Sequence, residues 1–153
     1  MSGDKFFSFL VYRTVNRLAE LFPWLISSKW LNANVVGKYG EYLAEQFIKS
    51  NKYKIIHQNW TSSLDHRREI DVVAMDDEVL VFIEVRSRSV KSLQSGYESI
   101  NRRKKSVLEK ACKDYLRENA YPHYRFDVIE VDLNYSINQT DLIFHHKNVS
   151  LFS

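Results

Sequence analysis

Two acids interrupt segments that otherwise read as buried β-strands. Asp71 lies in Glu69-Ile-Asp-Val-Val-Ala-Met75, and Glu84 in Val79-Leu-Val-Phe-Ile-Glu-Val-Arg86. Asp77 and Glu78, taken as a two-residue turn, place Asp71 directly opposite Glu84 and Glu69 opposite Arg86. Directly opposed residues have Cβ atoms about 4.5–5.5 Å apart, where like charges destabilise a sheet. Such a pair persists when a cation lies between the carboxylates or when one carboxyl is held protonated. Two readings are open: solvated acids on an exposed face, or a partly buried site. Val73, Leu80 and Phe82 continue the same face and favour the second. Hard oxygen ligands suit Mg²⁺ or Mn²⁺.

The next segment carries charge of the opposite sign. From Arg86 to Lys113 there are nine Lys and Arg against only Glu98 and Glu109, a net of +7. The whole chain has a net charge of +3, so the remainder is acidic. This asymmetry favours phosphate contacts, with Arg88, Lys91, Arg102, Arg103 and Lys105 as candidate nucleic-acid-binding residues. The alternative is a solvated helix face. No base-reading motif accompanies these cations, so recognition through backbone or shape is expected. Lys104 falls on the apolar stripe of the same helix, three and four residues before Val107 and Leu108. A lysine there either snorkels or reaches the acids. His57, His66, His123, His145 and His146 have no metal-ligand spacing, and Cys112, beside Ala111, reads as packing.

The elements that must hold these residues follow from periodicity. A helix is expected over about 35–50, with Tyr39, Leu43 and Phe47 on one face. Strands are expected near 54–60, over 69–75 and over 79–86, followed by a long helix over about 97–118. Residues 125–132 alternate cleanly as a fourth strand, and a short fifth is expected over 141–146. The first three strands can form an antiparallel meander, whereas a helical crossover to the fourth permits parallel pairing. The fold class is therefore α/β, a mixed central sheet flanked by helices.

Length and composition are consistent with this reading. A chain of 153 residues, 44% hydrophobic and 27% charged, with four Gly and two Pro, excludes disordered, collagen-like and loop-rich classes. A single cysteine excludes an internal disulfide and a cysteine-based zinc site, and a reducing, cytoplasmic compartment is expected. Ahead of the strands, Phe7, Leu10, Val11, Val15, Leu18, Leu21 and Leu25 form one helical apolar stripe, interrupted near Pro23. Arg13 and Arg17 break any span of the required length, so no membrane crossing is expected. This helix is expected to pack on its own domain or on a second copy in a homodimer, with a membrane-surface helix as the alternative. Residues 1–33 then form an N-terminal amphipathic helix and linker, and 34–153 the main domain.

Several blocks together resemble a known family. They are Gly37-Lys-Tyr-Gly-Glu41-Tyr-Leu-Ala44, Gln58-Asn59-Trp60, Glu69-Ile-Asp71-Val-Val-Ala and Val81-Phe-Ile-Glu84-Val-Arg86-Ser-Arg88. Lys104 with Leu108, Ala111 and Tyr115-Leu116, and then Arg125-Phe-Asp127-Val-Ile, continue the series. In this order they resemble the YraN family of bacterial proteins, within the PD-(D/E)XK restriction-endonuclease-like superfamily and akin to archaeal Holliday-junction resolvases. The resemblance covers about residues 35–132.

It implies a restriction-endonuclease-like αβββαβ core, here with an extra N-terminal helix, and a Mg²⁺- or Mn²⁺-dependent endonuclease acting on DNA, branched or structured DNA included. Asp71 and Glu84 would hold the metal, and Glu41 would be the additional acid. The motif's lysine, two residues beyond the second acid, is replaced by Arg86, and Arg68 stands where a glycine is usual. A guanidinium stays protonated and cannot act as a base, though it can stabilise charge on a phosphate. Three readings follow: Arg86 clamps phosphate while the metal acidifies water; Lys104 substitutes for the missing lysine; or cleavage is lost, leaving a nucleic-acid-binding or assembly module.

Overall fold

The computed structural model describes residues 10, 11, 14, 33–89, 100–133 and 141–151. Helix α1 spans Ala33–Ser50, followed by β1 (Lys54–Thr61), β2 (Glu69–Asp76) and β3 (Val79–Ser89). Helix α2 (Arg102–Glu118) leads to β4 (Tyr124–Leu133) and β5 (Leu142–His146). The five strands form one sheet in the order β1-β2-β3-β4-β5. β1, β2 and β3 are an antiparallel meander, β4 runs parallel to β3, and β5 returns antiparallel at the edge. This is the expected α/β fold, consistent with a restriction-endonuclease-like core. Of the expected N-terminal helix, Leu10, Val11 and Thr14 are helical, and the rest lies outside the described residues.

Each helix covers one face of the sheet. Tyr39, Ala44 and Ile48 of α1 pack with Val72, Ala74, Val81, Ile83, Ile129 and Val131. Leu108, Ala111, Cys112 and Tyr115 of α2 pack with Val73, Leu80, Phe82, Phe126 and Val128. The alternation of Val81/Ile83 with Leu80/Phe82 is what a strand buried on both faces requires. Gly40 brings α1 close to β3, since a Cβ there would overlap Ser87 Oγ. Cys112 is fully buried, and burial pushes its thiol up, consistent with packing.

One boundary moves. The long helix begins at Arg102 rather than near 97, because Asn101 is extended and caps it, its side chain accepting a hydrogen bond from the Lys104 N–H. The cap fixes the phase of Lys104, in the first turn of α2.

Candidate active site

The β2–β3 hairpin has the expected register. Asp76 pairs with Val79, Met75 with Leu80, and the ladder continues to Val72 opposite Ile83. Asp77 takes a positive φ of 53° at the turn, a conformation aspartate tolerates better than most residues. Beyond Val72 the pairing changes character, and Asp71 Oδ2 accepts a hydrogen bond from the Val85 N–H at 2.7 Å. On the other side, Asn59 has a φ of 50° and is skipped between the pairs Gln58–Val72 and Trp60–Ile70. Val72 packs on the α1 side of the sheet and Ile70 on the α2 side, although residues two apart in a regular strand share a face. The strand therefore rolls over at Asp71.

Glu84 faces α2 and is 2% exposed. Its Oε1 lies 3.0 Å from Lys104 Nζ and 3.6 Å from Arg86 Nη1. Its Oε2 is buried and has no hydrogen-bond partner among the described residues. Burial, reinforced by the charge of Asp71, pushes the Glu84 carboxyl up to about 7, against the pull of Lys104 and Arg86. Asp71 is raised too, chiefly by burial and further by Glu41, while the Val85 N–H, Lys104 and Arg86 oppose the shift. An orphaned carboxylate oxygen beside a second carboxylate is a costly arrangement in an apolar interior.

The donor set fits a hard divalent ion: Mg²⁺ is held by one or two carboxylates, with phosphate and water completing the octahedron. Asp71 and Glu84 are the residues that could hold it. Glu41, the expected additional acid, lies on α1, and its charge reaches Asp71. Among the described residues, however, no three His, Cys, Asp or Glu side chains group as ligands.

The basic residues divide. Lys104 is at the acids, as the second of the three readings requires. Arg88, expected to meet nucleic acid, instead bonds two acids of β4. Its Nε lies 2.9 Å from Glu130, and its Nη2 donates to Asp132 at 2.8 Å. Both acids are buried, and the parallel register sets Asp132 beside Arg88 and Glu130 beside Arg86. That neighbour on β4 is invisible in the local sequence. The Glu69–Arg86 ion pair also fails to form, because Glu69 lies beyond the β2–β3 ladder and pairs with Thr61 of β1. Arg102 and Arg103 are exposed on α2, Lys105 is half-buried, and Lys91 lies outside the described residues.

The structure also reveals charged clusters that the sequence reading missed. Asp114, buried on α2, accepts hydrogen bonds from Ser62 Oγ and Arg68 Nη1, each at 2.7 Å. Asp127 of β4 is held by Arg125 at 3.0 Å, His145 at 2.9 Å and the Asn148 N–H at 2.8 Å. Acids at buried positions of otherwise apolar strands and helix stripes were the available signal; their partners come from distant segments.

Among the described residues no helix is long and apolar enough to cross a membrane. The profile of the "Uncharacterised protein family UPF0102" matches residues 40–131, a span that contains Glu41, Asp71, Glu84, Arg86 and Lys104. A UPF0102 protein of Carboxydothermus hydrogenoformans is 38% identical over 119 residues, covering 78% of this chain and 98% of the relative. One from Clostridium perfringens is 38% identical over 111 residues, 71% of this chain and 88% of the relative. A third, from Chlorobium limicola, is 41% identical over 101 residues, 63% of this chain and 74% of the relative. With the profile spanning more than half of its length and relatives matched nearly end to end, the chain belongs to UPF0102, the YraN-type family that its ordered sequence blocks resemble.

Proposed function

We propose that the protein is a metal-dependent nuclease that hydrolyses DNA phosphodiesters, branched or structured DNA included. The observation that carries this reading is Glu84 Oε2, buried and unpartnered beside Asp71, with the Lys104 ammonium on the other oxygen. Mg²⁺ or Mn²⁺ bound by Asp71 and Glu84 would supply charge for the scissile phosphate and acidify a water molecule. Val85 N–H orients Asp71, and Lys104 orients Glu84 while offering positive charge to the phosphate. Arg86, 3.6 Å from Glu84 and a third exposed, adds a permanent cation for the same phosphate. In this reading Lys104, 3.0 Å from Glu84, takes over the role of the lysine that Arg86 replaces.

A second reading has its own support. The ammonium and guanidinium groups already compensate one oxygen of Glu84, which suits a DNA-binding or assembly module that keeps the fold without cleaving. Labelled branched and linear DNA, incubated with Mg²⁺ or Mn²⁺, separates the two. The nuclease reading expects metal-dependent cleavage, reduced by about a hundredfold or more in Asp71→Ala. Lys104→Met is expected to lose at least tenfold while retaining metal binding. DNA binding without cleavage at any metal concentration would establish the second reading instead.

A further inference from the structure

A cavity of about 420 Å³ opens between the β1–β2 connection and α2. One wall is a single helical stripe, Arg103, Ser106, Val107 and Lys110, at the three- and four-residue steps that align side chains on one face. The other wall is Asp65, Arg67 and Arg68. Four cations thus face one acid across the opening. Two of them are held in place. Arg67 Nε and Nη2 each donate to Asp65 at 3.0 Å, which fixes the fork of a side chain that is 86% exposed. Arg68 Nη1 donates to the buried Asp114, which Ser62 also supports. Among the described residues, Arg103 and Lys110 take no acid partner, although Glu109 lies between them in sequence and pairs with Lys113 instead. Arg103 and Lys110 bring the uncompensated charge that an oxyanion requires, while Arg67 and Arg68, held by Asp65 and Asp114, contribute only the N–H donors that those acids leave over.

We propose that this cavity is a phosphate subsite for the backbone of the nucleic acid, separate from the acid pair, an assignment that rests on the nuclease reading of that pair. Two chain connections tie the subsite to the candidate active site. Arg68 precedes Asp71 by three residues, about 10 Å along a strand. Arg103 is the neighbour of Lys104, the lysine on Glu84. Under this proposal, a polymer with one phosphodiester at Glu84 would place further phosphates at this cavity. Its open, half-exposed walls suit a strand that runs through better than a free phosphate that must be enclosed.

The test uses the full chain, with binding read in EDTA from the anisotropy of a labelled DNA duplex across a salt series, and cleavage read in a parallel reaction with Mg²⁺. Arg67→Gln/Lys110→Gln removes two surface cations and leaves the Arg68–Asp114 pair intact. The expected result is affinity lower by on the order of tenfold near 50 mM salt, and a salt slope smaller by about one to two. Lys54→Gln, at the far end of β1, carries one of the same charge changes and is expected to bind like the wild type. A double variant with wild-type affinity and slope, while the wild type binds and cleaves, overturns the subsite and leaves the nuclease reading standing. A wild type that binds through these residues yet never cleaves overturns the nuclease reading alone. Absence of salt-dependent DNA binding in EDTA together with absence of cleavage in Mg²⁺ overturns both. If millimolar inorganic phosphate raises the melting temperature of the wild type but not of the double variant, and DNA affinity is equal in the two, the cavity takes free phosphate and the nucleic-acid assignment fails.

Discussion

Glu84 and Asp127 stand one step apart in the parallel β3–β4 register, on opposite faces of the same sheet. Both are buried, at 2% and 0% exposure. Their surroundings differ in kind. Asp127 receives Arg125, His145 and the Asn148 N–H, which together outweigh burial and hold its carboxyl below the usual range. Arg125 also reaches Asp76 at 2.7 Å and Tyr53 Oη at 2.9 Å, tying β4 to β2 and to the start of β1. Glu84 has two cations near one oxygen, no hydrogen-bond partner for the other among the described residues and a second acid beside it, and its carboxyl is raised. One carboxylate is completed by the protein, as a buried structural charge must be. The other is left incomplete, which is what the proposed metal site would use.

The largest expected effect breaks the completed cluster. Asp127→Ala leaves Arg125 and its neighbours without the carboxylate they converge on, so urea unfolding is expected to show a loss of about 3–5 kcal/mol. A loss below about 1 kcal/mol would mean that the network does not carry the β4–β5 edge.

The second effect has the opposite sign. Because folding raises the Glu84 carboxyl from 4.5 to about 7, the folded state binds the proton more tightly than the unfolded state. Metal-free wild type therefore loses stability as pH rises from about 4.5 to about 7 through this group, on the order of 3 kcal/mol. Glu84→Gln lacks that loss, so above pH 7 it is expected to melt at or above the metal-free wild type. Asp127 acts in reverse: its contribution is present at neutral pH and disappears on acidification. Mg²⁺ or Mn²⁺ is expected to stabilise the wild type by about 2.7 kcal/mol at a hundredfold excess over Kd, with little gain in Glu84→Gln. Calorimetry at several pH values with and without metal reads all of these. A wild type indifferent to both ions would remove the metal site from the free protein.

The smallest effect sharpens the role of the two cations at Glu84. Lys104 is closer than Arg86, so Arg86→Lys is expected to change the cleavage rate by less than about tenfold, upward if the guanidinium hinders the reaction. A larger gain would transfer the lysine's role back to β3.

Local pattern was enough for the sheet and for half of the site. Alternation in 79–86 and 125–132, the Asp77-Glu78 turn and the helical stripe through Leu108 determined the elements, because side-chain periods of 2 and 3.6 follow from backbone geometry alone. The hairpin turn also set the register as far as Val72 and Ile83, since a two-residue connection leaves no freedom to slip, whereas the expected pairing of Asp71 with Glu84 lies beyond that ladder. Tertiary structure decided the rest. Whether Arg88 meets phosphate or acids depends on which residues of β4 lie beside it, and the crossover that sets this pairing is longer than any local pattern. The same holds for Arg67 and Arg68, which meet the stripe of α2 only after the loop folds back onto the helix. The orphaned oxygen of Glu84 is likewise a property of packing: residue types state which groups can pair, but only the assembled interior determines which of them is left without a partner.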